Sequence, residues 1–255
     1  MVRTMDIKLK IASGILMLGF LFPQLISCSK AKGDPGQNDD NDSSSAGYLT
    51  GVVKDQDGRP LKDVRIIVDH TIFFNSNIFT YTNAQGRYSI KLLQGSWYAF
   101  ASHKVSYNGN VFSFYLHPND SAGFGSEGGV RNFLWKLTGD MPQPLFGSYG
   151  GLVTIDNFPG VYIDETEVDF VFTPVGQLID GSEGTVIHRR AKDGHEIKDI
   201  PIGRYKLTAT YKKKPLKFRT WNSDKQFQEI HELQFRPRIV NQCDNCAKVE
   251  YYWEP

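Results

Sequence analysis

The chain has little that active-site chemistry usually needs. It has 3 cysteines and 6 histidines in 255 residues. None of the histidines (His70, His103, His117, His188, His195, His231) begins H-E-x-x-H or has Glu three residues later, so the zinc-peptidase ligand patterns are absent. No G-x-S-x-G is present, which excludes the nucleophile elbow of an α/β-hydrolase. Charge of one sign is also lacking: 29 Lys and Arg stand against 28 Asp and Glu. With no basic stripe, nucleic acid is a poor partner. The run Lys212-Lys213-Lys214 beside Pro215 reads as a solvated turn. No stretch has an apolar face at helical spacing long enough for a substantial helix.

Only one long apolar run occurs, at the N-terminus. Arg3, Lys8 and Lys10 precede Ile11 to Ile26, and the run closes on Leu25-Ile26-Ser27-Cys28. It is short for a membrane-spanning helix and broken by Pro and Gly. The order of charge, apolar run, small residue and cysteine resembles a bacterial lipoprotein signal with its lipobox. That resemblance implies cleavage before Cys28, acylation of Cys28 and function in the cell envelope, with Ser29 favouring the outer membrane. The stretch 29–46, SKAKGDPGQNDDNDSSSAG up to its Ala46, has no large apolar residue and reads as a flexible tether. Its aspartates lack calcium-loop spacing, so a solvated acidic linker is expected.

From residue 47 on, the pattern is strand and turn. Apolar alternation marks Arg87 to Leu92, Val111 to Leu116 and Val168 to Phe172. Asp57-Gly58, Asn108-Gly109, Asp180-Gly181 and Asp193-Gly194 supply turns. The expected fold class is all-β, as two tandem β-sandwich domains over 47–139 and 150–255, joined by the Pro- and Gly-containing linker 138–149.

Residues 48–68, YLTGVVKDQDGRPLKDVRIIV, and 80–101, TYTNAQGRYSIKLLQGSWYAFA, carry G-x-V, D-x-x-G-x-P-L-x-x-V, T-x-x-x-G-x-Y-x-I and a further Gly-led aromatic strand. This set resembles the carboxypeptidase regulatory-like domain, a transthyretin-like sandwich of about seven strands. Only the accessory domain is matched, and the chain has no room for the peptidase domain. In this reading Val64, Ile66 and Val68 point inward, as do Tyr88, Ile90 and Leu92. The segment His70 to Ile78 departs from the resemblance, being longer and more aromatic than a plain connector. The second half repeats the Gly-led strand at Gly203-Arg204-Tyr205. Aligning Gly203 with Gly95 pairs Tyr205 with Trp97, which suggests a divergent related copy.

The two Gly-led strands differ on their outward positions. The second presents Arg204, Lys206 and Thr208, whereas the first presents Ser96, Tyr98 and Phe100. With Phe112 and Phe114 inward, Tyr115 also points out. Tyr98, Phe100 and Tyr115 are therefore the candidate ligand or partner face, unless the second half or the 70–78 segment covers it. Trp135, Trp221 and Trp253 are expected in the core. Cys243-Asp244-Asn245-Cys246 is open to three readings: a disulfide, a free thiol pair or half a metal site. In an oxidising envelope the disulfide is favoured.

These observations predict a non-enzymatic, membrane-anchored envelope lipoprotein with no cofactor and no metal. Proteins resembling it occur in Bacteroidetes-type bacteria near outer-membrane uptake systems. That resemblance implies a polysaccharide or an outer-membrane transporter component as partner. A structural or assembly module with protein partners, and a secreted hydrolase of unrecognised type, are the alternatives.

Overall fold

A computed structural model of the chain describes residues 46–192, 194–239 and 243–254. Cys28 and the tether lie outside the described residues. Among the described residues the only helix is one 3-10 turn, Glu165–Glu167, and none is long and apolar enough to cross a membrane.

The first half contains β1 Tyr48–Lys54, β2 Arg65–His70, β3 Asn77–Tyr81, β4 Arg87–Lys91, β5 Ser96–Tyr107, β6 Asn110–Tyr115, β7 His117–Pro118, β8 Phe124–Gly125, β9 Gly128–Val130 and β10 Phe133–Leu134. One sheet runs β4-β1-β10-β7, with β9 also on β1. The other runs β3-β2-β5-β6, with β8 on β5. Alternation explains their packing: Leu49 and Val53 of one sheet, and Val64, Ile66, Val68 and Phe112 of the other half of the sandwich, are all buried. The Phe114 and Trp135 rings meet between the sheets at 5.7 Å. The turn after β1 is built by Asp55, whose carboxylate accepts from the backbone N–H of Asp57 and Arg59, with Gly58 at a φ of +80°.

The second half contains β11 Gly151–Asn157, β12 Asp169–Pro174, β13 Ile187–Arg189, β14 Glu196–Ile200, β15 Arg204–Tyr211, β16 Lys214–Pro215, β17 Lys217–Thr220, β18 His231–Gln234, β19 Arg236–Ile239 and β20 Cys243–Tyr252. Its pairings follow the same scheme. β1 is antiparallel to β4 and parallel to β10, as β11 is to β14 and β20. β2 lies between β3 and β5, as β12 lies between β13 and β15. β5 carries β6 and β8, as β15 carries β16 and β18. Trp97 and Tyr205 are both buried at matching inward positions. Val168 to Phe172 thus leads into the second strand of its half, because Gly151–Asn157 already forms the first. Phe170 and Phe218 pack across the two sheets at 6.3 Å.

The segment 138–149 closes on itself as a loop. Met141 N–H donates to Gly147 O and Tyr149 N–H to Gly139 O, both at 2.9 Å. Tyr149 is buried, and its hydroxyl lies 3.0 Å from His117 Nδ1. Direct bonds also join the halves: the Tyr107 hydroxyl donates to Gln177 O, and Asn245 Nδ2 donates to Ser113 O, each at 2.8 Å. Trp135 is buried as expected, but Trp221 is exposed. The Lys248 ammonium lies 3.9 Å from the Trp221 ring centroid. Trp253 is half-buried against Tyr211 at 5.2 Å.

Candidate functional site: the aromatic outer face of the first half

β2, β3, β5 and β6 place alternate side chains on opposite sides of their sheet, so register decides which aromatics share the outer side. Phe79, Ile67 and Phe100 form one cross-strand row. Tyr81, Arg65, Ser102 and Tyr115 form the next, and Asn77, Asp69 and Tyr98 a third. Tyr98 and Phe100 are half-buried, and Tyr115 is exposed. Phe100 and Tyr115 meet edge-on, with centroids 6.4 Å apart.

Phe79 and Tyr81 widen this face and were missed by the sequence reading. Both are more than half exposed, and their rings stand edge to face at 6.0 Å. The Arg65 guanidinium lies 4.4 Å from the Phe79 centroid and holds that ring in place. The signal was available in the alternation of Asn77-Ile78-Phe79-Thr80-Tyr81, but alternation does not say which parity faces the core. At its other margin, Phe100 borders a shallow depression formed with Leu116, Pro118, Pro142, Pro144 and Leu145. The second half and the 70–78 segment therefore leave most of the face open.

Two other features have less to offer a ligand. A cleft in the second half is lined by Arg219, Lys225, Arg236 and Lys248. Arg219 is already paired with Glu250 at 2.6 Å and Lys248 with Asp156 at 2.8 Å, so half its positive charge is compensated. His231, in the same cleft, has its pKa lowered by burial and then by Lys225. Gly123, Gly125 and Gly128 have G-x-G-x-x-G spacing, but they lie before β8, in β8 and in β9, with no helix after them. A dinucleotide site needs that helix N-terminus.

Cys243 and Cys246 are joined by a disulfide. Asn245, inside the ring, takes a φ of +51° and aims its amide at Ser113 of the first half. Among the described residues no group of three His, Cys, Asp or Glu side chains is placed to hold a metal ion.

The protein is an all-β sandwich protein with one aromatic outer sheet face. No protein-family profile matches the chain, and no curated protein does. Among solved structures it is similar to the Bacillus anthracis TIE protein, at 12% identity over 81% of this chain and 34% of that one, with a TM-score of 0.30. It is similar also to a streptococcal ancillary pilin, at 11% identity over 82% of this chain and 63% of that one, with a TM-score of 0.27. A third is a single B repeat unit of the collagen-binding surface protein of Staphylococcus aureus, at 11% identity, covering 84% of this chain and all of that one, with a TM-score of 0.23. The chain thus spans about a third of the first of these proteins and under two thirds of the second.

Proposed function

We propose that this chain is a non-enzymatic, lipid-anchored envelope protein whose first sandwich binds a polysaccharide on the outer face of the β3-β2-β5-β6 sheet. The observation that carries the reading is the set of five aromatic side chains on that face, of which Phe79, Tyr81 and Tyr115 are exposed and Tyr98 and Phe100 half-buried among the described residues. Planar rings with a polar edge stack on sugar rings, and the tyrosine hydroxyls and Arg65 supply polar contacts around them. The anchor is the acylated Cys28 of the lipobox, and the Cys243–Cys246 bond fits an oxidising compartment. We further read the two halves as tandem domains. The first is of the carboxypeptidase regulatory-like type, and the second is a divergent copy with the same strand pairing.

The test is a glycan array probed with the full-length chain carrying Cys28→Ser, alone and with Phe79→Ala, Phe100→Ala or Tyr115→Ala. Binding of a polysaccharide that each substitution weakens at least about tenfold, with circular dichroism unchanged, is the expected result. An array with no binding sinks the polysaccharide reading and favours the assembly module. Crosslinking in intact cells through a photoreactive group at Tyr81 would then identify the protein partner.

A further inference from the structure

Four strongly exposed apolar side chains lie not on the aromatic face but at one end of the same sandwich. The β2–β3 hairpin ends in 71–76, TIFFNS, which has no charged residue. Phe74 is fully exposed, Ile72 78% and Phe73 64%. The neighbouring turn, 92–95, adds Leu93 at 62%. This arrangement is built rather than frayed. His70 Nδ1 accepts from the backbone N–H of Ile72 at 3.1 Å and of Phe73 at 3.2 Å. The His70 ring packs on Phe73 at 4.7 Å and on Trp97 at 4.9 Å, and Thr71 N–H donates to Ser96 O. The turn is thereby fixed with its apolar side chains facing solvent, which soluble surfaces rarely do with four large residues together.

The topology says what lies opposite them. Tyr48 pairs with Lys91, and Leu92 N–H donates to Gly47 O, so Gly47 and the start of β1 lie beside the 92–95 turn. His70 pairs with Trp97 at the start of β5, so the 71–76 turn is at that same end. The far end of β5 bears Tyr107, which bonds Gln177 of the second half. The stretch leading from Cys28 therefore enters the sandwich at the apolar end and not at the end that holds the second half. Even fully extended, 18 residues reach at most about 60 Å. A membrane holding Cys28 is thus kept within reach of this end.

We propose that Ile72, Phe73, Phe74 and Leu93 form a foot that dips into the headgroup–acyl boundary of the membrane carrying the anchor. The proposal rests on Cys28 being acylated. A lipid anchor on a tether leaves a folded domain free to tumble, while insertion of four apolar side chains adds a second attachment and fixes orientation. The chain then stands with its second half pointing away from the bilayer and its aromatic face turned sideways, open to long polymers.

The experiment uses the full chain with its native N-terminus and Phe73→Trp as a reporter. It is reconstituted into vesicles of phosphatidylethanolamine and phosphatidylglycerol with or without bromine on the acyl chains. Emission gained over the unsubstituted chain should be blue-shifted and quenched by the brominated lipid. Ile72→Ser with Phe74→Ser should abolish the quenching, while Phe79→Ser with Tyr81→Ser should leave it intact. Reporter emission that stays water-like on protein that floats with the vesicles overturns the foot and leaves the anchor standing. Cys28→Ser that does not change membrane recovery, with Cys28 unmodified by mass spectrometry, overturns the anchor reading and the foot with it. Self-association removed by Ile72→Ser with Phe74→Ser, without quenching, assigns the patch to a second copy and overturns the proposal.

Discussion

The Asp199 carboxylate accepts from the backbone N–H of Gly139 at 2.9 Å and of Gly150 at 3.1 Å, so one side chain closes both ends of the loop between the halves. Asp199 itself sits at a φ of +62°, a conformation that Asp and Asn tolerate better than most residues. Asp199→Ala leaves two amides without that acceptor and keeps the strained backbone. We expect a loss of about 1–3 kcal/mol, with Asp199→Asn losing less. Limited proteolysis should cut Asp199→Ala within 140–147 faster than the parent. Equal cutting rates would mean that the loop is held by other contacts.

Gly51 in the centre of β1 lies against the backbone of Arg131. A Cβ there would come 1.9 Å from the Arg131 carbonyl oxygen, which also accepts from the Tyr88 hydroxyl at 2.6 Å. Nothing flexible can yield, so Gly51→Ala must push β1 away from the backbone between β9 and β10, both of which pair with β1. The expected cost is about 3 kcal/mol, or a melting temperature lower by roughly 6–12 °C for a domain of this size. A shift under one or two degrees would show that the 130–132 backbone relaxes freely.

Acid should weaken the fold before its carboxylates titrate. His103, packed on Trp135 at 5.0 Å, has its pKa lowered by burial, and His117 has its pKa lowered by burial and then by Lys136. The folded state keeps these rings neutral, whereas the unfolded chain takes up protons near pH 6.5. Below that pH the unfolded state binds more protons, so stability is full above about 6.5 and falls as pH drops towards the lowered folded values. Urea midpoints should decline between about pH 7 and 5, and His103→Phe should flatten the decline. A midpoint constant across that range would rule the histidines out.

The Cys243–Cys246 bond closes a ring of four residues. So small a ring removes little freedom from the unfolded chain, about 2 kcal/mol in the entropic account. Reduction should lower the melting temperature by several degrees without unfolding the chain. Alkylation without reductant, read by intact mass, should label neither cysteine. Labelling of both would show free thiols instead.

Local chemistry was legible wherever a residue's role is set by its sequence neighbours. Val64, Ile66 and Val68 read as inward from alternation and are fully buried. Asn108-Gly109 reads as a turn and takes positive φ at both residues. Trp97 and Tyr205 were matched through their preceding glycines, and both lie buried in corresponding strands. Trp221 was misread because a large apolar side chain in a strand-like run has no local mark of which side will be covered. Phe79 and Tyr81 were overlooked for the same reason, since β3 borders β2 alone among the named strands of its sheet.

The amino-acid order by itself determined the all-β class, the turns and the inward set of the first sandwich, because period-two alternation and positive-φ turn residues act over a few bonds. Tertiary structure alone decided that Phe79 and Tyr81 join Phe100 and Tyr115 on one open face, through a register set by pairing across four strands. It alone brought Ile72, Phe74 and Leu93 to the end where the chain enters, through the Gly47–Leu92 and His70–Trp97 contacts. Exposure depends on what distant segments leave uncovered, and no local pattern encodes that.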